Sequence, residues 1–117
     1  MGMKIDNSPL NEKGELKNGP FVQHFKNGSI CVEGHHTKGK KTGEWKYYFL
    51  SGPLKAIGQC QNNQMVGEWK WYWENGNLMQ IGTFTNEKKN GIWTRFKEDG
   101  SLLDETKFMD GKKVKQK

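Results

Sequence analysis

A period of 24 residues constrains this chain more than any other feature. Gly19, Gly43, Gly67 and Gly91 stand 24 residues apart, and so do Phe21, Trp45, Trp69 and Trp93. His24, Tyr48, Tyr72 and Phe96 keep that interval, as do Gly28, Gly52, Gly76 and Gly100. Ile30, Leu54, Leu78 and Leu102 follow, then Gly34, Gly58 and Gly82 with Thr106 in the fourth place, then His36, Cys60, Phe84 and Phe108. A fixed interval of roughly 20 to 50 residues marks a repeat architecture whose units pack mainly on their neighbours.

The unit itself reads as a β-hairpin. In Gly67 to Leu78, Trp69, Trp71 and Trp73 alternate with Lys70 and Tyr72, so a strand would put the three indoles on one face. Asn75-Gly76 then predicts a two-residue type I′ turn, because both of its central positions need positive φ. With that turn Glu74 pairs with Asn77, Trp73 with Leu78, Tyr72 with Met79, Trp69 with Gly82 and Gly67 with Phe84. The same register pairs Trp45 with Gly58 and Phe21 with Gly34, so each large ring would lie across a bare backbone.

The expected fold is therefore all-β: an elongated single-layer antiparallel meander of about eight strands, built from four 24-residue hairpins. The repeats are placed at 19–42, 43–66, 67–90 and 91–114. Residues 1–18 read as an irregular lead-in that ends in a short edge strand around Glu15-Leu16-Lys17, and 115–117 as a basic tail. The turn Ser51-Gly52-Pro53 departs from Asn-Gly and suggests a longer loop. Arg95 and Lys97 replace aromatics in the fourth unit, as expected of a polar cap on an array.

Composition agrees with a thin sheet. Hydrophobic residues make up 32% of the chain, too few for a thick two-layer core, yet 12% aromatic content and 15 glycines argue against disorder. No stretch approaches the roughly 20 apolar residues of a membrane helix, and Met1 to Ser8 lack a signal-peptide core. Cys31 and Cys60 occupy non-equivalent places and read as reduced thiols of a cytoplasmic protein. The net charge of +6 admits nucleic acid, an anionic membrane or an acidic protein as partner without choosing among them.

The pattern carried by Gly67, Trp69, Tyr72, Gly76, Leu78, Gly82, Phe84 and Asn86 resembles the MORN-type variant repeat, with one full and three partial copies over about 19–114. Bacterial chains of such repeats are similar to the YwqK family of antitoxins. That resemblance implies an immunity protein that neutralises a polymorphic toxin by binding it. Elsewhere the repeat type implies scaffolding and membrane apposition, and it brings no catalytic motif.

Candidate chemistry points the same way. Cys31, His35, His36 and Cys60 could be soft metal ligands. However, Cys31 and His35 would sit about 13 Å apart along one strand face, and His36 and Cys60 about 10 Å apart across strands. Zinc needs every ligand within roughly 2.0–2.3 Å of one point, so no metal or other cofactor is expected. There is no Ser-His-Asp order, phosphate loop or HExxH, and His24 reads as a packed ring. No enzymatic activity and no small-molecule substrate are expected.

A single-layer sheet leaves one aromatic surface partly open, and contiguous exposed aromatics mark protein interfaces. Tyr47, Phe49, Trp71 and Trp73 are the first candidates for partner binding. Tyr48 and Tyr72, with Lys46 and Lys70, are the second. The expected partner is a cognate toxin protein, with an acidic or apolar surface to match a basic chain. The alternative is a scaffold that touches an anionic membrane or nucleic acid through rings and lysines. Mutual stacking of the rings, or their burial in a homodimer, is the competing explanation for the same residues.

Overall fold

A computed structural model describes residues 4–115. The proposed basic tail at 115–117 therefore falls mostly outside the described residues, as do the first three residues of the lead-in. Nine strands form one antiparallel sheet in sequence order: β1 (Gly19–His24), β2 (Ile30–Thr37), β3 (Lys40–Tyr48), β4 (Leu54–Gln61), β5 (Gln64–Tyr72), β6 (Leu78–Thr85), β7 (Lys88–Phe96), β8 (Leu102–Met109) and β9 (Lys112–Lys113). The expected single-layer meander is present, with the two-residue β9 added. The molecule measures 56 × 31 × 22 Å. Its radius of gyration of 16.1 Å exceeds the roughly 13 Å of a compact domain this long, as a one-layer ribbon requires.

The Asn75-Gly76 turn is not the two-residue type I′ turn that its sequence suggests. Gly76 N–H donates to Trp73 O at 2.9 Å and Trp73 N–H to Asn77 O at 2.8 Å. Gly76 has φ +95°, while Asn75 is not in the left-handed region. This is a type I turn closed by a left-handed glycine, a three-residue loop rather than a two-residue type I′ turn. Asn75 instead caps the loop, accepting from Asn77 N–H at 2.8 Å. The Ser51-Gly52-Pro53 turn has the same length, with Phe49 N–H donating to Pro53 O at 2.9 Å, so it is not a longer loop. The type I′ turns lie at the opposite sheet edge. Lys38-Gly39, Asn62-Asn63, Asn86-Glu87 and Asp110-Gly111 all have positive φ at both residues.

The extra loop residue should have displaced the whole register by one. A bulge absorbs it. Tyr72 pairs with Leu78, not Met79, and Trp71 with Gln80, leaving Met79 unpaired. Cys31, Lys55 and Leu103 are skipped in the same way in the other hairpins. Beyond the bulge the expected pairs are found: Trp69 with Gly82, Gly67 with Phe84, Trp45 with Gly58, and Phe21 with Gly34. A one-residue slip would have turned every side chain to the other face. The paired bulge and loop prevent that.

Glycine is needed where a ring crosses the backbone, but the crossing is between repeats. A Cβ on Gly58 would stand 2.0 Å from Trp69 Cδ2, one on Gly82 2.0 Å from Trp93 Cδ2, and one on Gly34 2.2 Å from Trp45 Cδ2. Each tryptophan thus lies over the glycine of the preceding hairpin, not the one it pairs with in its own. Trp45 and Trp69 are 1% exposed and Trp93 3%, which makes these junctions the core. Thr106 fills the fourth glycine position, where no later tryptophan crosses.

The lead-in does not form the expected edge strand. It makes one isolated bridge, Leu10 to Leu16, and folds onto the first hairpin. Gly39 N–H donates to Lys17 O at 2.8 Å, Lys38 N–H to Asn18 Oδ1 at 2.7 Å, and Lys17 Nζ to Ser8 O at 2.7 Å.

Candidate functional site

Strand pairing sorts the candidate residues onto two faces. One cross-strand row runs Gln23, Val32, Tyr47, Ala56, Trp71, Gln80, Arg95, Asp104. This is the aromatic face. The next row on the other face runs Val22, Glu33, Lys46, Ile57, Lys70, Ile81, Thr94, Glu105. Tyr47 and Trp71 therefore share a surface that Lys46 and Lys70 do not reach.

On the aromatic face the rings form a continuous line. Centroids are 6.5 Å apart for Trp45–Tyr47, 6.4 Å for Tyr47–Trp69, 6.1 Å for Trp69–Trp71 and 5.7 Å for Trp71–Trp93, all tilted. The tryptophans that cross glycines are sealed, whereas Tyr47 and Trp71 between them are half-buried. Trp73 leaves this line. It sits in the turn after β5, where its indole N–H donates to Phe96 O at 3.1 Å and ties the third hairpin to the fourth. Phe49, at the equivalent turn position, borders a groove of about 650 Å³ with Tyr47, Trp71, Met65, Ala56 and Cys31. The structure thus brings Tyr47, Phe49 and Trp71 together and sets Trp73 apart.

Lysines lie along the same face at the 24-residue period of the repeats, a signal present in the sequence. Lys17, Lys41, Met65, Lys89 and Lys113 are 24 residues apart. Lys17 Nζ lies 4.6 Å from the Phe21 centroid, Lys41 Nζ 4.9 Å from Trp45, and Lys89 Nζ 4.8 Å from Trp93. An ammonium over a ring face is attracted by the ring quadrupole. Burial holds the Lys41 ammonium below the usual lysine pKa, and its Nζ donates to Asn7 Oδ1 at 2.9 Å. Burial also pushes the Tyr47 phenol up to about 12, and its hydroxyl accepts from Lys41 Nζ at 3.4 Å.

The other face is more polar. Tyr48 donates a short hydrogen bond to Glu33, and burial together with that bond raises its pKa to about 12. Lys46 lies 3.6 Å from Glu44 and Lys70 3.7 Å from Glu68. Such exposed pairs stabilise little, but they offset positive charge where phosphate binding would need it free. His24 holds the Tyr48/Tyr72 position yet is exposed at the strand end rather than packed.

The bulge in the first hairpin changes the placement of the soft-ligand residues. Because Cys31 is the skipped residue of its bulge, it and Val32 both turn into the core, at 5% and 0% exposure, while His35 is exposed. Cys31 and His35 therefore do not share a strand face. Cys60 is likewise a buried free thiol, and burial raises the pKa of both. Among the described residues no three His, Cys, Asp or Glu side chains are placed to hold a metal ion.

Residues 65–86 match the MORN repeat variant family. No curated protein matches the chain at a significant level. Among the described residues, no helix is long and apolar enough to cross a membrane. The matched segment covers the hairpin of β5 and β6, and the 24-residue register carries its ring and glycine positions through the neighbouring hairpins, so the chain contains one matched MORN-variant repeat within an array of similar units.

Proposed function

We propose that this protein is a non-catalytic binding module that grips another protein on its aromatic face, and that the partner is a toxin domain which it neutralises by occlusion in the cytoplasm. One observation carries the reading. Tyr47, Trp71 and Phe49 line an open groove that Ile5 of the lead-in covers at one end only, while the neighbouring tryptophans are sealed. Rings needed only for cohesion would be buried like Trp45 and Trp69. Half-buried rings beside an apolar groove are what protein interfaces use as anchors. The toxin as partner comes from the resemblance to immunity proteins, not from the geometry. The lysines of the aromatic face sit over rings and those of the other face beside glutamates, which weighs against a phosphate-binding scaffold.

Co-expression with a candidate toxin tests the reading. The wild-type chain should restore growth and co-purify with the toxin. Phe49→Ala and Trp71→Ala should weaken both, while Lys46→Ala and Lys70→Ala on the other face should not. Equal rescue by all four variants, each folded by circular dichroism, would place binding elsewhere. A chain that purifies as a dimer losing monomer on dilution, with Trp71 protected, would assign the groove to a second copy.

A further inference from the structure

We infer that the groove beside Tyr47 and Trp71 takes an extended segment of the partner in which an aliphatic side chain is flanked by carboxylates. This rests on the protein-binding reading and names the element that is gripped. At about 650 Å³ the groove falls in the range of ligand-sized pockets, roughly 300–1,000 Å³. Its floor is apolar. Lys41 and Lys55 stand on its rim, and no Asp or Glu lines it among the described residues.

The protein's own chain already lays an aliphatic side chain, Ile5, at one end. Residues 4–8 contain neither helix nor turn, and Ile5 packs against the buried cluster of Val32, Trp45 and Trp69. The Gln23 amide brackets the backbone, donating from Nε2 to Lys4 O at 3.1 Å and accepting Asp6 N–H at Oε1 at 2.8 Å. That contact reads backbone, not sequence. Lys41 Nζ meets Asn7 Oδ1, a neutral acceptor. A carboxylate at that place would make a stronger, charge-assisted bond and would offset the cost of burying the ammonium. Lys55 is exposed, with its Nζ 5.7 Å from the Phe49 centroid, and offers a second cation on the rim. The pattern is an aliphatic anchor on an apolar floor with two lysines on the rim, and a backbone clamp at Gln23 just outside the groove.

The test uses the full chain and three fluorescein-labelled probes, Gly-Asp-Ile-Asp-Val-Glu, Gly-Lys-Ile-Lys-Val-Lys and a Gly-Ser peptide, read by anisotropy. Ile5→Ser, which releases the competing side chain, should bind the acidic probe roughly ten-fold more tightly than wild type. Lys55→Glu, an exposed change, should weaken that binding, and Lys41→Glu with Lys55→Glu should shift preference to the lysine probe. Equal binding of acidic and lysine probes, or no binding of the acidic probe by folded Ile5→Ser, overturns the inference. If toxin capture survives while probe binding fails, the segment is wrong and the protein-binding reading stands. If Trp71→Ala also leaves capture intact, both fall.

Discussion

The two ends of the array are finished differently. At the first hairpin the lead-in folds over the aromatic face, and Val32, His36 and Lys17 are 0%, 3% and 9% exposed. At the fourth, Trp93 is the last sealed ring, and beyond it Leu103 and Met109 are 48% and 61% exposed. Arg95 pairs with Asp104 across β7 and β8, with Nε donating to Oδ1 at 2.9 Å. One end borrows a piece of chain to finish its core, and the other ends in a charged pair and a stub of strand. Between them, the tryptophan-on-glycine contact repeats at three junctions, with the Trp69 and Trp93 indoles donating to Gln59 O and Thr83 O of the preceding hairpin and the Trp45 indole to Thr42 O of its own strand. The contrast separates what the fold needs everywhere from what it needs once.

The largest effect should come from comparing an inner junction with the terminal one. Gly58→Ala places a methyl 2.0 Å from Trp69 Cδ2, and the ring cannot give way without leaving the sheet. The expected cost is about 3 kcal/mol, at the upper end for overpacking. Trp69→Ala should cost about the same by cavity formation. Combining the two should cost much less than the sum, because each removes the other's clash or contact. Thr106→Ala, at the equivalent position with no ring above it, should stay within about 0.5 kcal/mol. Denaturant midpoints measure all four, and equal costs at Gly58 and Thr106 would break the distinction.

Much of this was legible in the chain because the period is strict. The spacing of Trp45, Trp69 and Trp93 gave strands, faces and most pairings. The turns were not legible, because Asn-Gly suits both a type I′ turn and a type I turn with a left-handed glycine, and the two differ in the φ of Asn75 and in the unpaired Met79, which only the folded chain shows. The glycine partner was misassigned for a related reason. Pairing within one hairpin can be counted along the chain, but which neighbour a ring leans toward depends on the next repeat. At the candidate site, Tyr47, Phe49 and Trp71 could be read from alternation. Ile5 could not, since the lead-in lies outside the period and contacts the groove only after folding back, and the hydrogen bonds of Gln23 to Lys4 and Asp6 form only then.

A second prediction concerns the covered end. His36 stands where later hairpins have Cys60, Phe84 and Phe108. It is stacked edge-on between Phe21 and Trp45, at 5.0 and 5.1 Å, and its Nδ1 has no hydrogen-bond partner. Burial lowers its pKa first, and Lys17, Lys41 and His35 add to that, against an opposing pull from Asp6. The fold therefore favours the neutral ring. Its contribution is complete above the unfolded value of 6.5, and it falls as pH drops through that value toward the lower folded one. His36→Phe should remove this acid-side loss and raise neutral-pH stability by about 1 kcal/mol, by eliminating an unpaired buried nitrogen. Asp6, lowered mainly by its hydrogen bonds to Ser8 and Lys17, loses its contribution only below its ordinary 3.8. Melting curves between those two values isolate the histidine. An unchanged pH slope in the His36→Phe protein would remove it as the cause.

The smallest effect distinguishes a lysine over a ring from a methionine in the same slot. Lys89 spans two rings, 4.8 Å from the Trp93 centroid and 5.0 Å from Phe108, whereas the equivalent position in the third hairpin is Met65. If the charge matters, Lys89→Met should cost about 0.5 kcal/mol, the low end for a partly exposed cation–π contact. If only the aliphatic stem matters, the change should be neutral, because methionine keeps the apolar cover. Raising the salt concentration separates the two, since it should shrink the difference between wild type and variant only in the first case. The same substitution at Lys41 should cost more, because Lys41 also holds Asn7 of the folded-back segment, and that excess measures how far the covered end depends on its borrowed piece of chain.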